Sequence, residues 1–312
     1  MAQNALHVIF GTGPLGLAVM RELRRRGLPV RLVNRSGKVT FEKDAQTQVG
    51  GGDAADPKLA REVCEGAAVV YHCVGLPYTR WREFPDIARG IAEGAAHAGA
   101  TLVYGDNVYA WGHVKGPIHE GLPEAPNTVK GRIRAEVAGL LRDAHAAGKV
   151  RVAIGRGSDF FGPGVTEASM LGSRVFGRLL AGKASQVVGN PDRLHSYTFI
   201  EDFALALIIL GERFEAAGGT WIVPTAPALS TRDTVALIAR LAGARPLLSV
   251  APRWLLGLAG MFDQQMHELR EMLYEFEEDF VLDSSRFRHT FGLDSTPLED
   301  ALLRTVEWYR KP

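Results

Sequence analysis

The run His7-Val8-Ile9-Phe10-Gly11-Thr12-Gly13-Pro14-Leu15-Gly16 sets three glycines at G-x-G-x-x-G spacing, between an apolar stretch and an amphipathic one. That spacing suits the pyrophosphate of a dinucleotide. Gly11 allows a tight turn out of a strand, Gly13 lets the backbone approach the phosphates, and Gly16 lets a helix pack closely on the strand. The unpaired N–H groups at the helix start, at the positive end of its dipole, favour an anion. Thr12, Pro14 and Leu15 complete the loop as candidate cofactor contacts.

About 20 residues past such a loop, an NAD site places Asp or Glu on the ribose 2′-hydroxyl. This chain has Asn34-Arg35-Ser36-Gly37-Lys38 there. A carboxylate would repel a 2′-phosphate, whereas the planar fork of Arg35 and the hydroxyl of Ser36 would bind one. NADP is therefore the expected cofactor, with NAD the less favoured one. Arg35 as a solvated loop residue is the plain alternative.

These residues need a scaffold, and the periodicity supplies one. Leu15, Val19 and Leu23 share a helical face, Gly27 is placed to stop that helix, and Val30–Val33 read as a second strand. Further strands are expected at Gln46–Gly50, Ala67–Val74, Ala100–Tyr104 and Val150–Ile154. Helices are expected from Pro57 towards Gly66, over Asp86–His97 and over Thr128–Ala147. Apolar strands alternating with amphipathic helices indicate a parallel sheet covered on both faces. Ligands then lie beyond the carboxyl ends of the strands. This adds Asp53 and Ala54, and Cys73, Val74 and Gly75, to the candidate cofactor contacts.

Composition narrows the function classes. With 312 residues, 46% hydrophobic and a net charge of +1, the chain can bury a full sheet-and-helix core. Near-neutral charge argues against nucleic acid and anionic membranes as partners, and Arg24-Arg25-Arg26 read as an exposed helix end. No apolar run approaches a membrane span of ~20 residues, and no secretory signal is evident. A cytoplasmic protein is expected, with Cys64 and Cys73 as small buried side chains. The scattered histidines show no metal-ligand spacing, so no metal is expected.

In this order the motifs resemble the short-chain dehydrogenase/reductase superfamily, more narrowly its extended NAD-dependent epimerase/dehydratase branch. The resemblance rests on the glycine loop, Gly52-Asp53, Val108-Tyr109, Arg156-Gly157-Ser158-Asp159-Phe160-Phe161-Gly162-Pro163-Gly164, Tyr197–Ala204 and the tail Asp283–Tyr309. It implies an α/β Rossmann-type doubly wound parallel sheet with a smaller C-terminal substrate-binding domain. Residues 1–162 with about 195–223 would form the dinucleotide-binding domain, and 163–194 with 224–312 the smaller one. It also suggests a homodimer.

The resemblance implies a proton-transferring Tyr four residues before a Lys, with a Ser or Thr after the fifth strand. Neither is present. Lys130 stands at the Tyr position and Arg134 at the Lys position, and the Ser position falls within Tyr104-Gly105-Asp106-Asn107-Val108-Tyr109. Lys130 and Arg134 share a helix face and would hold ribose or diphosphate, or Lys130 would donate a proton if desolvated. Solvated helix charges fit the same pair. Asp106 and Tyr109 lie on the expected loop above the nicotinamide, and Tyr78 follows the fourth strand. Lys130, Tyr109, Asp106 and Tyr78 are thus the catalytic candidates. Packing for Tyr109 and loop capping for Asp106 are the alternatives.

The remainder builds the other wall. A helix is expected at Ala168–Leu180 and a short strand at Gln186–Val188, with strands His195–Ile200 and Thr220–Val223 returning to the main sheet or its edge. Leu269, Met272, Leu273 and Phe276 form a stripe that reads first as packing. Trp111, Trp254, Met261 and Phe262 suggest an apolar pocket, and Lys183, Arg193 and Arg232 are the late basic residues a sugar diphosphate would need. Two functions are expected as alternatives. One is an NADP-dependent oxidoreductase acting by hydride transfer on a small carbonyl, alcohol or activated alkene, with an epimerase or dehydratase on a sugar-like substrate as its variant. The other is a non-catalytic NADP-binding sensor.

Overall fold

A computed structural model describes residues 5–41, 45–167, 169–251 and 270–311. Its centre is a seven-stranded sheet in the order β11-β6-β5-β4-β1-β2-β3, with every neighbouring pair parallel. The strands are β1 (Leu6–Phe10), β2 (Val30–Asn34), β3 (Thr47–Gly51), β4 (Ala67–His72), β5 (Thr101–Asn107), β6 (Arg151–Gly157) and β11 (Thr220–Ile222). Strand order reverses between β1 and β4. In such sheets the crevice beyond the carboxyl ends at that reversal receives the ligand.

Helices cover both faces. On one, α1 (Pro14–Arg25) packs against α6 (Ile200–Glu212) over Val19, Leu23, Phe203 and Leu207, all buried. On the other, α2 (Pro57–Cys64), α3 (Phe84–His97) and α4 (Val129–Ala146) lie side by side over Val70, Ile91, Leu102 and Val137. Helix starts follow their capping chemistry. The Asp56 carboxylate accepts from Lys58 N ahead of Pro57, and the Thr128 hydroxyl accepts from Gly131 N at 2.9 Å.

Two expectations are corrected. The helix over Ala168–Leu180 is only α5 (Phe176–Leu180), because the chain turns through 169–175 and Gly172 packs onto the Thr166 carbonyl; Ala168 lies outside the described residues. The strand over His195–Ile200 is two pieces, β9 (Leu194–His195) pairing with β12 (Leu229–Ser230) and β10 (Thr198–Phe199) pairing with β7 (Phe160–Phe161). Neither joins the main sheet, and Ile200 already begins α6. The strand at Thr220 does join it, beside β6. A separate apolar core forms among α5, α7 (Thr231–Leu241) and the helix Leu298–Arg310, around Phe176, Ile238 and Leu302.

Two histidines inside the sheet make stability depend on pH. His7 and His72 are buried, and burial lowers their pKa values to about 4 and about 3, aided by Arg26 and Arg134 respectively. The unfolded chain protonates both near the ordinary value, so below it the unfolded state binds more protons. Stability is therefore lost as pH falls below that value, by up to about 1.4 kcal/mol per pH unit for each ring. A lower urea midpoint at about pH 5 than at about pH 7 is expected; an unchanged midpoint would mean the folded rings take up protons freely.

Candidate functional site

The glycine loop leaves β1 at the strand-order reversal and enters α1. A Cβ on Gly11, whose φ is +103°, would stand 2.4 Å from the Cys73 carbonyl oxygen; one on Gly16 would stand 2.0 Å from the Gly11 carbonyl oxygen. A Cβ on Gly13 would meet nothing within 4 Å. The first and third glycines thus allow close backbone contacts, and the second faces open space. Gly13 caps α1 with no side-chain bond, Pro14 is the first helical residue, and the first turn holds no acid. The helix start is therefore open to an anion, and these residues fit a dinucleotide pyrophosphate. Cys73 N donates to the Phe10 carbonyl at 2.8 Å, which ties the end of β4 to that of β1 beneath the loop.

At the end of β2 the Asn34 side chain organises its own loop. It donates to the Thr12 hydroxyl and the Lys38 carbonyl, and its oxygen accepts from Ser36 and Gly37. Asn34 thus joins the two loops to each other. Arg35 extends from this loop to Glu83 at 2.7 Å, on a carboxylate shared with Arg80. Asp53 accepts from Ala55 N and so closes the turn after β3.

Past the ends of β4 and β5 stand two half-buried phenols, Tyr78 and Tyr109, with hydroxyl oxygens 3.4 Å apart. Burial pushes both above the ordinary phenol pKa, and the Glu275 and Asp159 carboxyls add to the rise. Both phenols therefore keep their protons at neutral pH. Lys130 Nζ lies 4.8 Å from the centre of the Tyr78 ring and donates to Glu271 at 2.6 Å. Glu271 also accepts from the backbone of Val129 and Lys130, so it caps α4. Burial would raise its pKa, but these donors hold it below the usual range.

Arg134 and Asp106 belong to a different constellation. Asp106 was expected on a loop, but it lies within β5 with its side chain wholly buried. Its carboxylate meets Arg156 Nε at 3.0 Å and Arg134 at 3.5 Å. Arg134 lies over the rings of Trp81 and Phe84 and donates to the Tyr104 hydroxyl. Arg156 reaches on to Glu124 and lies over Trp111. This network holds the ends of β5 and β6 together beneath the phenols.

Other candidates are dispersed. Trp111 packs among Val108, Ile118, Ile222 and Phe280 and is core; Trp254, Met261, Phe262 and Leu269 lie outside the described residues. Met272, Leu273 and Phe276 are buried, as packing requires. Arg232 pairs with Asp192, Arg193 lies near Asp279, and Lys183 is exposed, so the three form no common cradle. Among the described residues no cluster suits a metal, and no helix is long and apolar enough to cross a membrane. A cavity of about 320 Å³ lined partly by Arg151, Glu212 and Phe214 opens at the amino ends of the strands, away from these groups.

Four residues of the site carried no individual signal in the sequence. Arg156 and Asp159 sit inside a motif whose order was informative but whose members were not. Glu271 and Glu275 flank the apolar stripe at Met272 and Leu273 and are spaced four apart, as any solvated pair would be.

A model of the NAD dependent epimerase/dehydratase family matches residues 8–223. No curated protein matches the chain significantly. Among solved structures, MoeE5 in complex with UDP-glucose and NAD is 19% identical, with a TM-score of 0.80 over 98% of this chain and 99% of its own. The dTDP-glucose 4,6-dehydratase DesIV from Streptomyces venezuelae, with NAD and TYD bound, is 16% identical, with a TM-score of 0.79 over 98% and 97%. The UDP-glucose 4-epimerase of Thermotoga maritima is 15% identical, with a TM-score of 0.79 over 98% of each. At these identities the likeness is one of fold.

Proposed function

Because this chain belongs to the NAD-dependent epimerase/dehydratase family, a family of enzymes, we propose that it is an NADP-dependent oxidoreductase with an altered proton path. Its substrate is a small carbonyl, alcohol or activated alkene. The observation that carries this reading is the Tyr78–Tyr109 pair, two protonated phenols beside the expected cofactor crevice in a chain without the Tyr-x-x-x-Lys arrangement. A bound nicotinamide supplies the hydride. Gly11, Thr12, Gly13, Pro14, Leu15 and Gly16 hold the diphosphate, while Asp53, Ala54, Cys73, Val74 and Gly75 line the crevice. Residues 1–162 with about 195–223 bind the cofactor, and 163–194 with 224–312 close on the substrate.

The phenols donate the proton to the substrate oxygen. Lys130 supports them from beneath: its ammonium faces the Tyr78 ring, and Glu271 fixes it at the head of α4. Epimerisation or dehydration of a sugar-like substrate is the second reading. The family favours it, as do MoeE5 and the T. maritima epimerase, each solved with UDP-glucose. The separated and paired late arginines supply no diphosphate cradle for it.

Arg35 and Ser36 support a 2′-phosphate. The exposed Arg35–Glu83 pair is worth about 0–1 kcal/mol, whereas a charged hydrogen bond to phosphate is worth about 1.5–3 kcal/mol. Arg35 therefore exchanges Glu83 for the phosphate. Arg35→Glu is expected to weaken NADPH binding about 10- to 100-fold and to leave NADH binding nearly unchanged; equal losses would refute the contact. The overall test is NADPH consumption across ketones, aldehydes and enones. Saturable turnover supports the reading, and tight NADPH binding without turnover of any compound overturns it.

A further inference from the structure

On the far side of the phenols, past the end of β6, a second group of ionisable residues converges. The His195 ring is buried, close to parallel with Phe276 on one contact and Phe280 on another, at centroid distances of 4.8 and 5.2 Å. Its Nδ1 lies 3.1 Å from the Glu275 backbone carbonyl oxygen, and its Nε2 lies 2.9 Å from Asp159 Oδ2. A carbonyl only accepts, so Nδ1 must carry a hydrogen. The Nε2–Oδ2 contact then needs a proton of its own, since two lone pairs would otherwise face each other.

Asp159 is the accessible member. Its side chain retains 17% exposure against 2% for His195, and among the described residues its Oδ1 has no hydrogen-bond partner. It sits two residues past β6, as Tyr109 sits two past β5, and these strands are neighbours. The Asp159 carboxyl is close enough to act electrostatically on Tyr78, Tyr109 and Tyr197. Beside it, Glu275 is buried, its Oε1 has no hydrogen-bond partner among the described residues, and burial together with Asp159 drives its pKa up.

We propose that Asp159 is a second acid–base group of the cleft, with His195 as its positioning residue, and that the substrate is a ketone bearing a C–H bond next to the carbonyl. This rests on the carbonyl-directed reading of the phenol pair above. With the ketone between the two walls, Asp159 Oδ1 takes the proton from the adjacent carbon. The C–H electron pair becomes the C=C bond of an enol, and the carbonyl π pair takes the phenol proton. Reversal returns a proton to carbon and to the phenol, so no oxidant or reductant is consumed. The outcome is proton exchange at that carbon beside reduction of the carbonyl.

The test is run on the NADPH-loaded full chain in deuterium oxide, with cyclohexanone, acetophenone and dihydroxyacetone as probes. NADPH oxidation is followed optically, and deuterium in the remaining ketone by mass spectrometry. Enzyme-dependent deuterium uptake next to the carbonyl is expected. Asp159→Asn should reduce it by at least about 100-fold, with NADPH fluorescence still reporting wild-type cofactor affinity and hence an intact fold. His195→Gln should lower the maximal exchange rate while leaving the half-saturating ketone concentration unchanged. Reduction of a ketone without deuterium uptake overturns the second acid–base group and leaves the oxidoreductase reading standing. Neither reduction nor exchange, with NADPH bound, overturns both. Exchange that persists in Asp159→Asn assigns the proton to another group and likewise overturns the proposal.

Discussion

Replacing Arg156 by Met is expected to lower the free energy of unfolding by about 3–5 kcal/mol. The guanidinium is fully buried, and so is the carboxylate of Asp106 that it meets at 3.0 Å. Without Arg156, the nearest cation left to Asp106 among the described residues is Arg134, at 3.5 Å, and the carboxylate is shut off from water. The destabilisation comes from leaving a buried charge under-paired rather than from losing a favourable ion pair. A domain of ordinary stability has about 5–15 kcal/mol in total, so the loss is large enough to read from urea titration. The companion Asp106→Asn/Arg156→Met variant removes the charge with its partner and should recover part of the loss, as a double-mutant cycle would report. A loss below about 1 kcal/mol in Arg156→Met would mean that Asp106 is not ionised against Arg156.

That network marks the boundary of what could be read from the sequence. The glycine loop, the order of strands and helices and the helix start at Pro57 were legible, because each follows from local periodicity or from one residue type at one position. The placement of Lys130 and Arg134 on one face of α4 was legible too. Their fates were not: Lys130 meets Glu271 from far along the chain, and Arg134 meets Trp81, Phe84 and Tyr104. Both depend on tertiary contacts that helix spacing does not encode. Asp106 was misplaced for a related reason. β5 runs three residues beyond its apolar segment, and the arginines that make a buried carboxylate tolerable lie 28 and 50 residues later in the chain. The short pieces at 194–199 read as one strand because their alternation continues across Ser196 and Tyr197, while their partners β12 and β7 belong to separate ladders.

Removing both phenol hydroxyls, in Tyr78→Phe/Tyr109→Phe, should cut the carbonyl-reduction rate by about 10²- to 10⁴-fold. This is the range for losing a positioned general acid, and the two rings would still pack against Trp81 at 5.1 and 5.9 Å. The single variants separate the roles. The phenol that meets the carbonyl should account for nearly the whole loss, and its partner, which only orients or relays the proton, for about tenfold. Non-additivity is therefore expected, since the two act as one unit. The pH profile gives a second reading of the same pair. Burial raises both phenols above the ordinary value near 10, so the proton they donate should remain available throughout the neutral and mildly alkaline range. The reduction rate should not fall there for want of a phenol proton. In the arrangement the wider family implies, a lysine lowers the phenol pKa; here the Lys130 ammonium faces the Tyr78 ring and is bound to Glu271. Among the described residues nothing therefore lowers the Tyr78 phenol pKa in the way that arrangement does; burial holds it raised and the phenol protonated. Wild-type rates in both single variants and in the double would assign the proton to another group and would remove the phenol pair from the chemistry.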